Sequence, residues 1–374
     1  MTIPMELERL ASGSLDEYLE NQDPGPVQAC LRRNLQKLED LALLLSPGAQ
    51  SVLEDMARQA RSLTRRQFGQ TVQFYAPLYI SDHCVNACTY CGFRAGRGHR
   101  RRRLEVADLH REGAWLAREG FRNILLVAGE SREHCSLEYL EQAVKVVREH
   151  VPLVGIEIYP LKVAEYARLH QAGAEYLTLY QETYDQRIYR EVHPRGPKAD
   201  FNHRLEAPAR GCGAGMSAVN LGVLLGLAPW RRDVLSLAAH GRWLERQQPG
   251  ARVGFSLPRL RHAAGMTSPG FFVPDRSYAQ ALFALRLWMP GAELSLSTRE
   301  TGIMRDGLIP LVVTKLSAGS CTSVGGYGEP RSSDPQFEIS DDRDLATMCA
   351  VVREKGLNPV LMDWVPLRGG SAHA

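Results

Sequence analysis

The chain has 374 residues, 44% of them hydrophobic and 23% charged, and a formal net charge of +3. That is ordinary globular composition with apolar material for a large core, and so small a net charge implies no strong affinity for polyanions such as nucleic acid. No run approaches the roughly 18 apolar residues of a membrane span, and the opening residues carry Glu6, Glu8 and Arg9 where a secretory signal needs an apolar core, so a cytoplasmic protein is expected.

Residues 5–66 read as mostly helical, broken near Pro24, Pro26 and Pro47, with Leu31, Leu35, Leu38, Leu41 and Leu45 at helical spacing. From about residue 74 the pattern changes to short apolar runs alternating with amphipathic stretches. Eight such runs are expected as buried parallel strands: Phe74–Ile80, Ile124–Ala128, Leu153–Ile158, Tyr176–Tyr180, Ala218–Leu225, Val253–Leu257, Glu293–Leu296 and Leu311–Leu316. Helix-like segments fall between them, for example Glu105–Glu119, Leu137–His150, Lys162–Ala172 and Ser277–Trp288. Alternation of this kind implies a parallel sheet, and eight repeats predict a (β/α)8 TIM-type barrel, with a doubly wound open sheet as the rival. The expected division is an N-terminal helical extension at 1–70, the barrel at 71–320 and a short C-terminal extension at 321–374.

Chemistry in a barrel gathers where strands end at the C-terminal face. The residues after the apolar runs are Ser81-Asp82-His83-Cys84, Gly129-Glu130, Tyr159, Gln181-Glu182, Arg259, Ser297-Thr298-Arg299-Glu300 and Ser317, a polar ring. Of eight cysteines, five are scattered and read as free thiols. The other three, Cys84, Cys88 and Cys91, sit in one short segment, LYISDHCVNACTYCGFRAG, with Cys-x-x-x-Cys-x-x-Cys spacing. Three thiolates on one loop can hold three irons of a [4Fe–4S] cube, leaving an open iron that S-adenosylmethionine (SAM) can chelate through its amino and carboxylate groups. One electron from such a cluster cleaves SAM to a 5′-deoxyadenosyl radical, which abstracts hydrogen. A zinc knuckle completed by His83 or His99 is the alternative.

With this segment the chain resembles the radical SAM superfamily, and within it the aromatic amino acid lyases, most of all the 2-iminoacetate synthase (tyrosine lyase) family of thiamine biosynthesis. The resemblance runs from about Tyr75 to Trp364. It rests on CTYCGF (Cys88–Phe93), LLVAGE (Leu125–Glu130), IEIYPL (Ile156–Leu161), YQETYD (Tyr180–Asp185), HPRGPKADFNHRLEAP (His193–Pro208), GFSLPRLR (Gly254–Arg261), ELSLSTRE (Glu293–Glu300) and GGY (Gly325–Tyr327). It implies Tyr90 near the SAM adenine, Glu130 accepting from the SAM ammonium, and Glu182 with Arg204 holding the rest of SAM. Arg299, just past an apolar strand, is expected to meet a substrate carboxylate bidentately, with Ser317 sharing it. Lys198 and Asp200 share the Arg204 motif without an assigned role.

The activity implied is cleavage of the Cα–Cβ bond of L-tyrosine to p-cresol and 2-iminoacetate, with thiazole synthase as protein partner and flavodoxin or ferredoxin as reductant. The hydrogenase-maturase type of tyrosine lyase carries a further C-terminal cysteine motif, whereas only Cys321 and Cys349 follow the seventh strand here. Tryptophan lyases remain a rival, since SLAAHG (Ser236–Gly241) and PKADF (Pro197–Phe201) also resemble them. A non-catalytic zinc or iron–sulfur scaffold is the rival from another class. The basic run Arg94, Arg97, His99 and Arg100 to Arg103 is expected as a solvated loop face, with docking of an acidic electron donor as the alternative. The tail reads Asp363-Trp364-Val365, where these lyases tend to carry a second acid after the Trp.

Overall fold

The computed structural model of the chain describes residues 2–5, 7, 13, 15–33, 35, 37–267, 270–328 and 333–362; the Asp363-Trp364-Val365 segment lies outside them. Eight strands run parallel: β1 (Thr71–Ser81), β2 (Asn123–Ala128), β3 (Leu153–Glu157), β4 (Ala174–Glu182), β5 (Ala218–Val223), β6 (Arg252–Ser256), β7 (Glu293–Leu296) and β8 (Lys315–Ser317). Each pairs with the next, and β1 pairs with both β2 and β8, so the sheet closes into a barrel and the open-sheet rival is excluded. A short β9 (Asn358–Val360) adds to the start of β1 at Thr71–Gln73. Strands such as β2, buried from Asn123 to Val127, read as unbroken apolar runs because the barrel interior covers one face and helices the other.

Before the barrel lie helices α1 (Pro24–Leu31), α2 (Leu38–Leu45) and α3 (Leu53–Phe68). Leu31, Leu35 and Leu38 do not share a helix as their spacing suggested. The chain breaks between α1 and α2 because Asp40 turns back to accept from the Lys37 N–H at 3.1 Å and starts a new helix there. The outer helices of the barrel are α4 (Val106–Arg118), α5 (Leu137–Arg148), α6 (Val163–Ala172), α7 (Ala207–Gly213), α8 (Trp230–Gln247), α9 (Asp275–Trp288), α10 (Gly302–Leu308) and α11 (Leu345–Glu354).

Helices α2 and α3 pack over α9, which is why α9 is buried on nearly every side. Hydrogen bonds fasten the layer: Gln280 donates to the Leu44 and Ser46 carbonyls at 2.9 and 2.8 Å, and the Trp288 indole donates to the Lys37 carbonyl at 2.8 Å. These polar groups would each cost about 1–3 kcal/mol if left unpaired in the same place.

The eighth run, expected at Leu311–Leu316, pairs only over Lys315–Ser317. Leu311 and Val312 both donate to the Leu308 carbonyl, at 3.0 and 3.1 Å, so the chain leaving α10 is still turning where apolarity suggested a strand. Val312 and Val313 are buried all the same. No helix among the described residues is long and apolar enough to cross a membrane.

Candidate active site

The loop after β1 crosses the mouth of the barrel and carries the three thiols. Backbone bonds hold it to its surroundings: Val85 N–H to the Glu130 carbonyl (2.9 Å), Ala87 N–H to Arg195 (3.0 Å), Thr89 N–H to Val192 (3.0 Å) and Gly92 N–H to Gln336 (3.0 Å). A Cβ at Gly129 would lie 2.4 Å from the His83 carbonyl oxygen, so the approach of this loop to β2 requires glycine.

Most of the basic run is not a solvated face. Arg101 donates to the carbonyls of Asp82, Phe93 (2.8 Å) and Arg94 (2.7 Å), and Arg97 to that of Gly92 (2.8 Å) while pairing with Asp334. Arg103 lies over the Tyr139 ring at 4.8 Å. Loop carbonyls without strand partners need donors, and a guanidinium supplies five.

One cavity, open to solvent, is lined by Cys84, Cys88, Cys91, Tyr90, Glu130, Glu182, Arg204, Arg299 and Ser317 together. The tertiary fold thus brings all nine of the residues singled out by sequence to one place. The remaining cysteines do not line it.

On the wall formed by β4 and the segment after it, Glu182 is buried and pairs with Lys198 Nζ at 2.7 Å and the Arg204 guanidinium at 3.8 Å. Burial alone would raise this carboxyl, but Lys198 and Arg204 outweigh burial and hold it below the usual range. Arg204 also donates from Nε to the Tyr180 carbonyl at 2.6 Å. Glu182 has a φ of 73°, at a bulge between Tyr180 and Glu182 in the pairing with β5. A left-handed φ costs a non-glycine residue about 1–2 kcal/mol, so the surroundings must impose it.

Glu130 meets the cysteine loop through its side chain. It accepts from Asn86 Nδ2 at 2.6 Å, and Asn86 Oδ1 accepts from the Lys198 N–H at 2.9 Å. Gly196 packs so closely on Asn86 that a Cβ would lie 2.3 Å from Oδ1, and its φ of 103° independently favours glycine. Tyr90 is buried with its hydroxyl 2.7 Å from His193 Nε2. Burial, with Lys198 and Arg204 nearby, pushes His193 down to about 2, so the ring is neutral. Its Nδ1 donates to the Tyr189 carbonyl at 2.9 Å, leaving Nε2 to accept from Tyr90.

Across the cavity, Arg299 follows β7 and its guanidinium lies 3.3 Å from the Phe337 ring centroid. It does not pair with Glu300, which is taken by Arg259 and Arg261. Ser317, at the end of β8, accepts from the Thr298 N–H at 3.2 Å.

The structure adds residues that sequence reasoning passed over. Glu157, at the end of β3 in IEIYPL, lines the cavity, and burial with Glu182 nearby pushes its carboxyl up to about 7 against the pull of Arg299, Arg204 and Lys198. Strand-end position was the available signal, but it drew the choice to Tyr159, two residues on. Gln336 and Phe337 arrive from a segment beyond β8 that has no periodicity to announce it.

The residues fit an iron–sulfur cluster. Two N–H groups face the Cys91 sulfur, from Phe93 at 3.4 Å and Gln336 at 3.7 Å, as donors to a metal-bound thiolate do. Burial pushes Cys88 up to about 12 and also raises Cys91, so as isolated groups both stay protonated; a bound cation is what would make them thiolates.

Comparison with known proteins agrees. Residues 78–237 match the radical SAM superfamily model, and residues 256–358 match the biotin and thiamin synthesis associated domain. The chain is 40% identical over 339 residues to 2-iminoacetate synthase of Escherichia coli strain K12, covering 90% of each chain. It is 39% identical to the Salmonella typhimurium 2-iminoacetate synthase over 87% of each. Among solved structures it superposes on the FeFe-hydrogenase maturase HydG from Carboxydothermus hydrogenoformans with a TM-score of 0.85 and 29% identity, covering 96% of this chain and 84% of that one. The cofactors are accordingly a [4Fe–4S] cluster and SAM. With three thiols lining a charged cavity, and relatives that align along nearly its whole length, this chain belongs to the 2-iminoacetate synthase family of radical SAM enzymes.

Proposed function

We propose that the protein is a carbon–carbon lyase that cleaves the Cα–Cβ bond of L-tyrosine to 2-iminoacetate and p-cresol, for thiazole formation in thiamine biosynthesis. The observation that carries this reading is a single cavity that the three thiols and the Arg299 guanidinium line together. When bound, the reduced cluster and SAM supply a 5′-deoxyadenosyl radical, which takes a hydrogen atom from the substrate. Cys84, Cys88 and Cys91 are the cluster ligands. Glu182 and Arg204, with Lys198, hold SAM on the β4 side, Glu130 accepts from its ammonium, and Tyr90 lies at its adenine.

Arg299 binds the tyrosine carboxylate through two parallel N–H bonds, and Ser317 adds a hydroxyl to the same carboxylate. Stacking on Phe337 holds the guanidinium plane in advance, so less side-chain freedom is lost on binding. Apolar and aromatic lining from Tyr75, Tyr79, Leu125 and Val127 limits water at the reacting atoms.

Thiazole synthase is the proposed protein partner, because 2-iminoacetate hydrolyses readily in water and gains from direct delivery. Flavodoxin or ferredoxin is the proposed reductant and the cytoplasm the proposed location. The test is anaerobic reconstitution with iron and sulfide, then dithionite, SAM and either tyrosine or tryptophan. p-Cresol together with 5′-deoxyadenosine from tyrosine is the expected result. Deoxyadenosine without p-cresol, or an indolic acid from tryptophan, would remove the substrate assignment while leaving the superfamily intact.

A further inference from the structure

On α8, which packs against β5 and β6, two buried side chains, Asp233 and His240, bond the residues just past Glu182. They stand seven positions apart and so share a helix face. Asp233 Oδ1 accepts twice, from Thr183 Oγ1 at 2.9 Å and from the Tyr184 N–H at 2.8 Å. Thr183 Oγ1 accepts in turn from the Asp185 N–H at 3.1 Å, and the Tyr184 hydroxyl bonds His240 Nδ1 at 2.8 Å. Asp233 and His240 are 2% and 1% exposed, and Asp233 Oδ2 and His240 Nε2 are buried without a hydrogen-bond partner.

A buried acid with one oxygen unpaired is a standing cost to the fold. It does not serve its own helix, whose N-cap is Pro229 and has no side-chain cap. Both bonds of Asp233 go instead to the two residues that follow Glu182, the described non-glycine residue with positive φ. The Glu182 carbonyl also accepts from the Leu224 N–H, just past β5, at 2.8 Å. The chain leaving the strained residue is therefore gripped twice: at its carbonyl by Leu224, and at its two successors by α8.

We propose that Asp233 is a positioning residue for SAM: by fixing Thr183 and Tyr184 it holds Glu182 in its left-handed backbone, which keeps the carboxylate against Lys198 and Arg204 in the cavity. The inference rests on the reading of Glu182 as a SAM-binding residue. Release of the two bonds lets φ return to the negative region, and the Cα–Cβ bond then swings away from its present direction. Burial pushes the Asp233 carboxyl up to about 7, yet Oδ1 can keep both donors whether or not Oδ2 carries a proton, so asparagine can replace it.

The test is the equilibrium affinity of the cluster-loaded enzyme for SAM, measured anaerobically by dialysis, beside KM for tyrosine and iron content. D233A should bind SAM about tenfold more weakly, with iron content unchanged and tyrosine KM within about twofold of wild type. D233N should restore most of the affinity. In an E182Q background D233A should add almost nothing, because the two act through one contact. Wild-type SAM affinity in D233A, full additivity with E182Q, or an equal rise in tyrosine KM would each overturn the proposal. Unchanged affinity in E182Q alone would overturn the placement of SAM on Glu182, and this inference with it. Should D233A fail to fold, Thr183→Val removes one of the two bonds; a loss of about threefold supports the proposal and no loss overturns it.

Discussion

On the β4 side of the cavity, Glu182 is paired with both Lys198 and Arg204, while on the β7–β8 side Arg299 lies over Phe337 and no described carboxylate pairs with it. The acid next to Arg299 in sequence, Glu300, is drawn off by Arg259 and Arg261. A paired set of two cations and one acid offers partners for both the carboxylate and the ammonium of SAM. A lone guanidinium held flat by an aromatic ring suits a single carboxylate, as an amino acid substrate presents. One wall suits both charges of SAM, the other a single anion.

Removing the cluster should erase the distinction altogether. Cys88→Ala is expected to lose bound iron and to reduce both 5′-deoxyadenosine and p-cresol to background, read by iron assay and chromatography; retention of either product would break the cluster assignment. Next in size, Arg299→Met should lower kcat/KM for tyrosine by about 100-fold, as loss of a charge-assisted bidentate contact does, with SAM affinity unchanged. An equal loss of SAM affinity would mean that the walls are not separate. Lys198→Met should do the reverse and weaken SAM about tenfold, since it strips the nearest cation from Glu182, while tyrosine KM stays near wild type. Phe337→Leu removes the stacking partner alone and should raise tyrosine KM by about threefold.

The smallest effect concerns pH. Burial lifts Asp233 from the ordinary carboxylate range to about 7. A carboxyl raised on folding stabilises the fold at low pH, and that contribution is lost as pH rises from the unfolded value through the folded one. The stability of the wild type relative to D233N should therefore fall between about pH 4 and about pH 7 and level off above it, measured by thermal melts of the two proteins side by side. A flat difference would show that Asp233 is already ionised in the fold.

Much of this architecture is legible along the chain because its signals are local. Strand β2 lies almost where its apolar run places it, since four consecutive Ile, Leu and Val residues between amphipathic segments have few other uses in an α/β protein. The thiols are legible because three cysteines sit within eight residues on one loop. The turn at Leu311–Val312 was not legible, because apolarity marks burial and not backbone shape. Nor was the inward turn of Arg97 and Arg101: a charge run reads as solvated unless the carbonyls that need it are in view.

By itself the sequence determined the eight-unit barrel, the cysteine loop and the strand ends that carry Glu182, Arg299 and Ser317, all of them properties of residues within a few positions of each other. Only the tertiary structure decided which strand ends share a cavity with the thiols, that Glu157 and Phe337 join them, and that Glu300 turns away to Arg259. It also decided that Asp233, some fifty residues from Glu182, is the group behind its backbone. Pairings of that kind depend on how the closed barrel sets distant segments side by side, and no spacing within one segment encodes them.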